Sequence, residues 1–143
     1  MDALTFLRGH VPLFAGVTDE NLTVLAQASE LLTFGAGQTI LFKGATVDGL
    51  HVVVSGRAGV HMRASNKTLI RIAELGPGEV FGEMSIVEMG TAGATVKASE
   101  GGAVVLMIPQ ESFRRVLQQD ESFAVRVNIL IVSRRTAPIS VPA

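Results

Sequence analysis

Apolar positions recur at two different periods along this chain, and the change of period divides it into three stretches. Asp2 to Leu7 reads as a short helix, followed by a turn at Val11 to Phe14 around Pro12. Thr18 is placed to cap a second helix, with Asp19 and Glu20 in its first turn, where the helix dipole favours negative charge. Leu22, Leu25, Ala26 and Leu32 fall at helical spacing and predict an amphipathic helix running to about Leu31. Beyond it, short β-rich segments alternate with turn signals, and 13 of the 15 glycines lie between Gly35 and Gly102, which argues for a sandwich or barrel. Strands are predicted near Leu32 to Phe34, Gln38 to Phe42, Leu50 to Ser55, Ala58 to Arg63, Thr68 to Ala73, Thr95 to Ser99 and Ala103 to Ile108. Ala64-Ser65-Asn66-Lys67 supplies a hairpin turn and Gly76-Pro77-Gly78 a tight reversal. After Pro109 the helical period returns at Phe113, Val116 and Leu117, then at Phe123, Val127, Leu130 and Ile131. Pro138 and Pro142 end that last helix near Arg135, since proline removes a backbone donor and clashes with the preceding turn. The plan is a single domain over 1–143: a helical start at 1–31, a β-roll at 32–108, C-terminal helices at 110–135 and a tail at 136–143.

Composition narrows what such a domain does. With 12 basic against 13 acidic residues, the chain lacks the broad positive field with which nucleic-acid binders neutralise phosphates. The absence of cysteine removes disulfides, thiolate nucleophiles and cysteine-ligated metals together. All seven aromatic residues are Phe, so a bound ligand rests on apolar side chains rather than on a Trp or Tyr platform. No stretch approaches the ~20 apolar residues of a membrane helix, and Met1 to Arg8 lacks the basic start and apolar core of a signal peptide. The expectation is a cytoplasmic domain without membrane contact.

The segment Phe81 to Ala94 departs from the alternating grammar of strands. Gly82 permits a sharp turn into a helical turn over Glu83 to Glu88, whose first amides, near Met84 and Ser85, would point out together and attract an anion such as phosphate. Gly90 to Gly93 offers backbone that could close the other side of that anion as a nest. The alternative is a bulged crossover between two strands.

Phe81-Gly82-Glu83, followed at a distance by Ala94-Thr95-Val96-Lys97-Ala98, resembles the phosphate-binding cassette of the cyclic nucleotide-binding domain family. Val11-Pro12-Leu13-Phe14, the Gly37 and Gly44 turns, Asp48 through Gly56, Leu75-Gly76-Pro77-Gly78-Glu79 and the closing helices follow in family order, from residue 4 to about 135. The resemblance implies a mainly β fold, an eight-stranded jelly-roll β-barrel with N-terminal helices and two C-terminal helices, holding cAMP or cGMP between barrel and cassette. By resemblance, Glu83 accepts from the ribose 2′-hydroxyl, the amides around Gly82, Met84 and Ser85 meet ribose and phosphate, and Val60, Ile72, Ala73 and Phe81 line the sugar and base pocket. The position that the family fills with a phosphate-pairing arginine is Ala92, while Gly93 and Ala94 keep the small residues that follow it.

A charge-assisted pair to phosphate contributes about 1.5–3 kcal/mol, so its loss weakens binding roughly 10- to 200-fold. Three readings stay open: weak cyclic-nucleotide binding with Arg63, Lys67 or Arg71 as substitute cation, a different ligand that is neutral at Ala92, or a degenerate domain acting as an interaction or dimerisation module. No cofactor is required by any of them. His51 and His61 lack the His-x-His pairing of a metal-dependent jelly roll, and neither a nucleophile elbow nor a P-loop occurs, so catalysis and metal binding are not expected. Only Thr136 to Ala143 follow the last helix, where activators of this family carry a DNA-reading domain, so direct nucleic-acid binding is not expected. The family implies that the last helix moves over the pocket as a lid and often forms a homodimer seam.

Overall fold

The computed structural model describes residues 2–88 and 90–136. The anticipated tail therefore lies outside the described residues except for Thr136, the last residue of the final helix. Helix α1 (Ala3–His10) is capped by Asp2, whose carboxylate accepts from the Thr5 amide at 2.8 Å, and a 3-10 turn follows at Pro12–Phe14. Helix α2 (Asp19–Ala28) starts at the Thr18 cap, with the hydroxyl accepting from the Asn21 amide at 3.2 Å. It ends at Ala28, three residues before the expected boundary at Leu31. Ser29 takes an extended backbone and its hydroxyl donates to Ala26 O at 2.6 Å, which closes the helix and turns Glu30 outward into a strand.

The sheet is antiparallel throughout and mainly β with flanking helices, as in the jelly-roll fold, but it is not closed. Strands β1 (Glu30–Phe34), β6 (Thr95–Pro109), β3 (Gly49–Arg63) and β4 (Leu69–Leu75) lie side by side in that order, while β2 (Thr39–Leu41) adds to β6 and β5 (Val80–Phe81) to β3. Six strands replace the expected eight among the described residues. The difference lies at Gly56 and Gly102, which were expected to separate strands. Instead β3 and β6 each run for 15 residues, and the register shifts between Val53 and Ser55 and between Gly56 and Ala58. Both glycines have positive φ, 73° and 77°, and a Cβ on Gly56 would stand 2.2 Å from Gly102 O. Glycine thus lets two long strands turn a corner face to face without ending.

Two buried clusters result among the described residues. One lies inside the roll and includes Val53, Ala58, Leu75, Phe81, Val96 and Val105, with Val60 packed against it. The other joins the sheet to the helices through Leu7, Phe14, Leu25, Ile108, Phe113 and Phe123. Helices α4 (Gln110–Gln119) and α5 (Glu121–Thr136) complete the chain. A five-residue helix, α3 (Glu83–Val87), interrupts the sheet between β5 and β6, and α4 and α5 both touch it.

Candidate functional site

The site is assembled around α3. Gly82 enters it at φ 95°, the left-handed region open to glycine. The surroundings add a second reason for glycine: a Cβ there would lie 3.1 Å from Val47 Cγ1 and 3.2 Å from Gly49 O. Glu83 follows at the first helical position and is 2% exposed. A carboxylate so deeply buried needs compensation, and Arg134 of α5 provides it, donating from Nη1 to Glu83 Oε1 at 2.6 Å. Glu83 Oε2 has no partner among the described residues.

Three arginines among the described residues thus bind α3 to the C-terminal helices. Arg134 holds Glu83, Arg135 pairs with Glu88, and Arg114 of α4 donates from Nη2 to Ile86 O at 2.6 Å. No local pattern signals this contact, because Glu83 and Arg134 stand 51 residues apart. Its one available signal was two adjacent arginines closing an apolar helix. Arg63 and Arg71, considered as substitute cations, are engaged elsewhere: Arg63 donates to Lys67 O in the β3–β4 turn and Arg71 pairs with Glu74, both at 2.8 Å.

The loop after α3 is fixed by its backbone. Ala92 is 4% exposed. Its amide donates to Ala45 O at 2.9 Å, and its carbonyl accepts from the Gly44 amide at 2.8 Å. The Gly90 amide donates to Ser85 O at 2.9 Å, and the Ser85 hydroxyl donates to Thr91 O at 3.0 Å. Two of the amides expected to form an anion nest are therefore already engaged. Gly93 is exposed and Ala94 half-buried, while Met84 packs against the helix-facing cluster.

Of the expected pocket residues, Val60 stands directly across from Ala73 on β4 and from Val96 on β6, so the three share a face, and Phe81 belongs to the same inner cluster. Ala73 is exposed on that face. Ile72 falls where the register jumps from Val60–Ala73 to His61–Arg71, leaving it half-buried without a direct partner across the ladder.

His51 lies beneath this site, stacked on Phe81 with ring centroids 4.8 Å apart, and His61 Nδ1 meets Gly59 O at 3.0 Å on the far part of β3. Burial pushes the His51 imidazole down to about 4 from an ordinary 6.5, against smaller opposing effects of the Gly49 backbone and the Asp48 carboxylate. The unfolded chain therefore binds a proton between these values that the folded chain refuses. Stability that is complete above pH 6.5 is lost as pH falls towards 4. A loss on the order of 2 kcal/mol between pH 7 and 5 is expected, read from urea unfolding. The variant His51→Phe should flatten this part of the profile, and equal slopes in the two proteins would refute the assignment.

Fold and site together define a rolled antiparallel sheet with a glycine-glutamate cassette beneath a C-terminal helix. Residues 31–120 match the family described as Cyclic nucleotide-binding domain, and the chain belongs to that family. It is 29% identical over 103 residues to the cyclic AMP receptor protein of Thermus thermophilus, covering 70% of this chain and 46% of that protein. It is 30% identical over 129 residues to Glutaminase 2 of Bradyrhizobium diazoefficiens, covering 89% of this chain and 20% of that protein. The regulatory domain of Toxoplasma gondii PKA, solved with cAMP, superposes with a TM-score of 0.81 at 20% identity over 94% of this chain and 49% of that one. The chain thus spans less than half the length of both curated relatives. Among the described residues no helix is long and apolar enough to cross a membrane.

Proposed function

We propose that this chain is a regulatory sensor domain that takes cAMP, cGMP or a related small ligand between the sheet and α3 and reports it through α5. The observation that carries the reading is Glu83: a carboxylate 2% exposed, at the turn the family uses for the ribose, with one oxygen on the lid helix and the other without a partner among the described residues. A ligand hydroxyl would complete that oxygen. Because Arg134 sits on the same carboxylate, occupancy and lid position are coupled, and a ligand with different affinity for the closed and lifted states shifts their populations. Val60, Ala73 and Phe81 supply an apolar inner face for the sugar and base, and Ala92 in place of arginine makes cyclic-nucleotide binding weak. On this reading the chain needs no cofactor, performs no catalysis, works in the cytoplasm and leaves nucleic acid to others.

A second reading has its own observation. Val125 and Ile129 on α5 are 53% and 63% exposed, four residues apart and therefore on one helical face, while Phe123 and Val127 are buried. This apolar stripe fits a homodimer seam along α5. Calorimetric titration with cAMP and cGMP, beside sedimentation of the ligand-free chain, tests both readings. Dissociation constants in the range of about 10 µM to 1 mM are expected for a pocket without its arginine, with a dimer that Ile129→Glu splits. Absence of heat with either nucleotide at millimolar concentration would refute cyclic-nucleotide sensing by the natural chain, and a monomer at all concentrations would refute the seam.

A further inference from the structure

We propose that the preferred ligand is a neutral nucleoside, a base-bearing ribose with free vicinal hydroxyls and no phosphate. This rests on the reading of the α3 cassette as a ligand site and concerns the charge of what it holds. Glu83 Oε2 is buried and has no donor among the described residues. A carboxylate oxygen only accepts, so it is completed by an O–H or N–H group, and a ribose hydroxyl is such a group whereas a phosphate oxygen is not.

Position 92, facing the α3 cassette, offers no side-chain charge to an anion, and part of the loop backbone is already engaged. Ala92 carries no charge, its amide and that of Gly90 are bonded to Ala45 O and Ser85 O at 2.9 Å each, and the Ser85 hydroxyl is bonded to Thr91 O. The two arginines of α5 that reach the cassette are matched: Arg134 lies 2.6 Å from Glu83 Oε1 and Arg135 pairs with Glu88. Drawing Arg134 away to a phosphate would leave a buried carboxylate without its partner and facing a second negative charge. A neutral diol leaves the ion pair intact and adds the donor that Oε2 lacks. Since Oε2 is covered in this state, entry passes through a minor conformation with α5 lifted.

Titration calorimetry of the whole chain with adenosine, guanosine, 2′-deoxyadenosine, 2′-deoxyguanosine, cAMP and cGMP tests this. One nucleoside should bind at least roughly tenfold more tightly than its own cyclic phosphate, and its 2′-deoxy form should lose a similar factor with the hydroxyl. Ala92→Arg should raise cyclic-nucleotide affinity roughly 10- to 200-fold and invert the preference. Because Ala92 is 4% exposed, Gly93→Arg serves beside it, at a position where a Cβ meets nothing within 4 Å. A native chain that binds the cyclic nucleotide more tightly than the nucleoside overturns the proposal and leaves the cassette reading standing. Cyclic-nucleotide binding by an arginine variant, with no nucleoside binding by the native chain, does the same. Silence of native chain and folded variants towards every ligand overturns the cassette reading itself.

Discussion

Replacing Phe123 with alanine is expected to destabilise the domain by about 3–5 kcal/mol, and to lower its melting temperature by roughly 10–15 °C. Phe123 is fully buried near the start of α5. Its ring lies 5.4 Å from that of Phe14 and 5.7 Å, edge-on, from that of Phe113, and the Arg126 guanidinium stands 5.9 Å from its centroid. Truncation removes the transfer energy of the ring and leaves a void between three elements that cannot all collapse at once. Arg126 also donates to Leu13 O at 3.1 Å, so the 3-10 turn at Pro12–Phe14 is held to α5 both by packing and by a hydrogen bond. Chemical denaturation reads the loss. A change below about 1 kcal/mol would mean that α5 does not depend on this cluster.

The second large effect is expected at Arg134. Its removal strips a carboxylate that is 2% exposed of its partner, and fully buried pairs lose about 3–5 kcal/mol in that way. Arg134 itself keeps 27% exposure, so water compensates in part and Arg134→Ala should cost about 2–3 kcal/mol. Adding Glu83→Gln should recover much of the loss, because a neutral amide is easier to bury than an unpaired carboxylate. Arg135→Ala provides the contrast: that pair is about half exposed on both sides, and its loss should stay within about 0.5 kcal/mol. If both alanine variants match the native protein in urea, the coupling of lid to cassette fails, since it depends on the first pair being strong.

The turn at Gly82, the carboxylate after it and the helices on either side of the roll were legible because they are local: a glycine, a capping threonine and a helical period each act within a few residues. Gly56 and Gly102 misled for the same reason. A glycine that ends a strand and one that lets a strand bend past its neighbour look alike until the opposing backbone is in place, here 2.2 Å from where a Cβ would be. Glu30 and Leu31 belong by spacing to α2 and by structure to β1, where Leu31 faces Leu106 of β6, so long-range pairing outweighed periodicity. The arginine pairs to α3 and the burial of His51 under Gly82 come from elements that meet only on folding.

The anchoring of the 90–94 loop bears on which of its positions can change. Gly44 and Ala45 hold Ala92 through main-chain atoms, and an isolated bridge joins Thr46 to Thr91. Main-chain bonds thus set the course of the loop at its buried position 92, and Thr91 and Gly93 face solvent on either side of the anchor. Frame and recognition are thereby separated. On the reading proposed above, a substitution at Thr91 or Gly93 changes the charge presented beside the cassette while leaving those main-chain bonds in place.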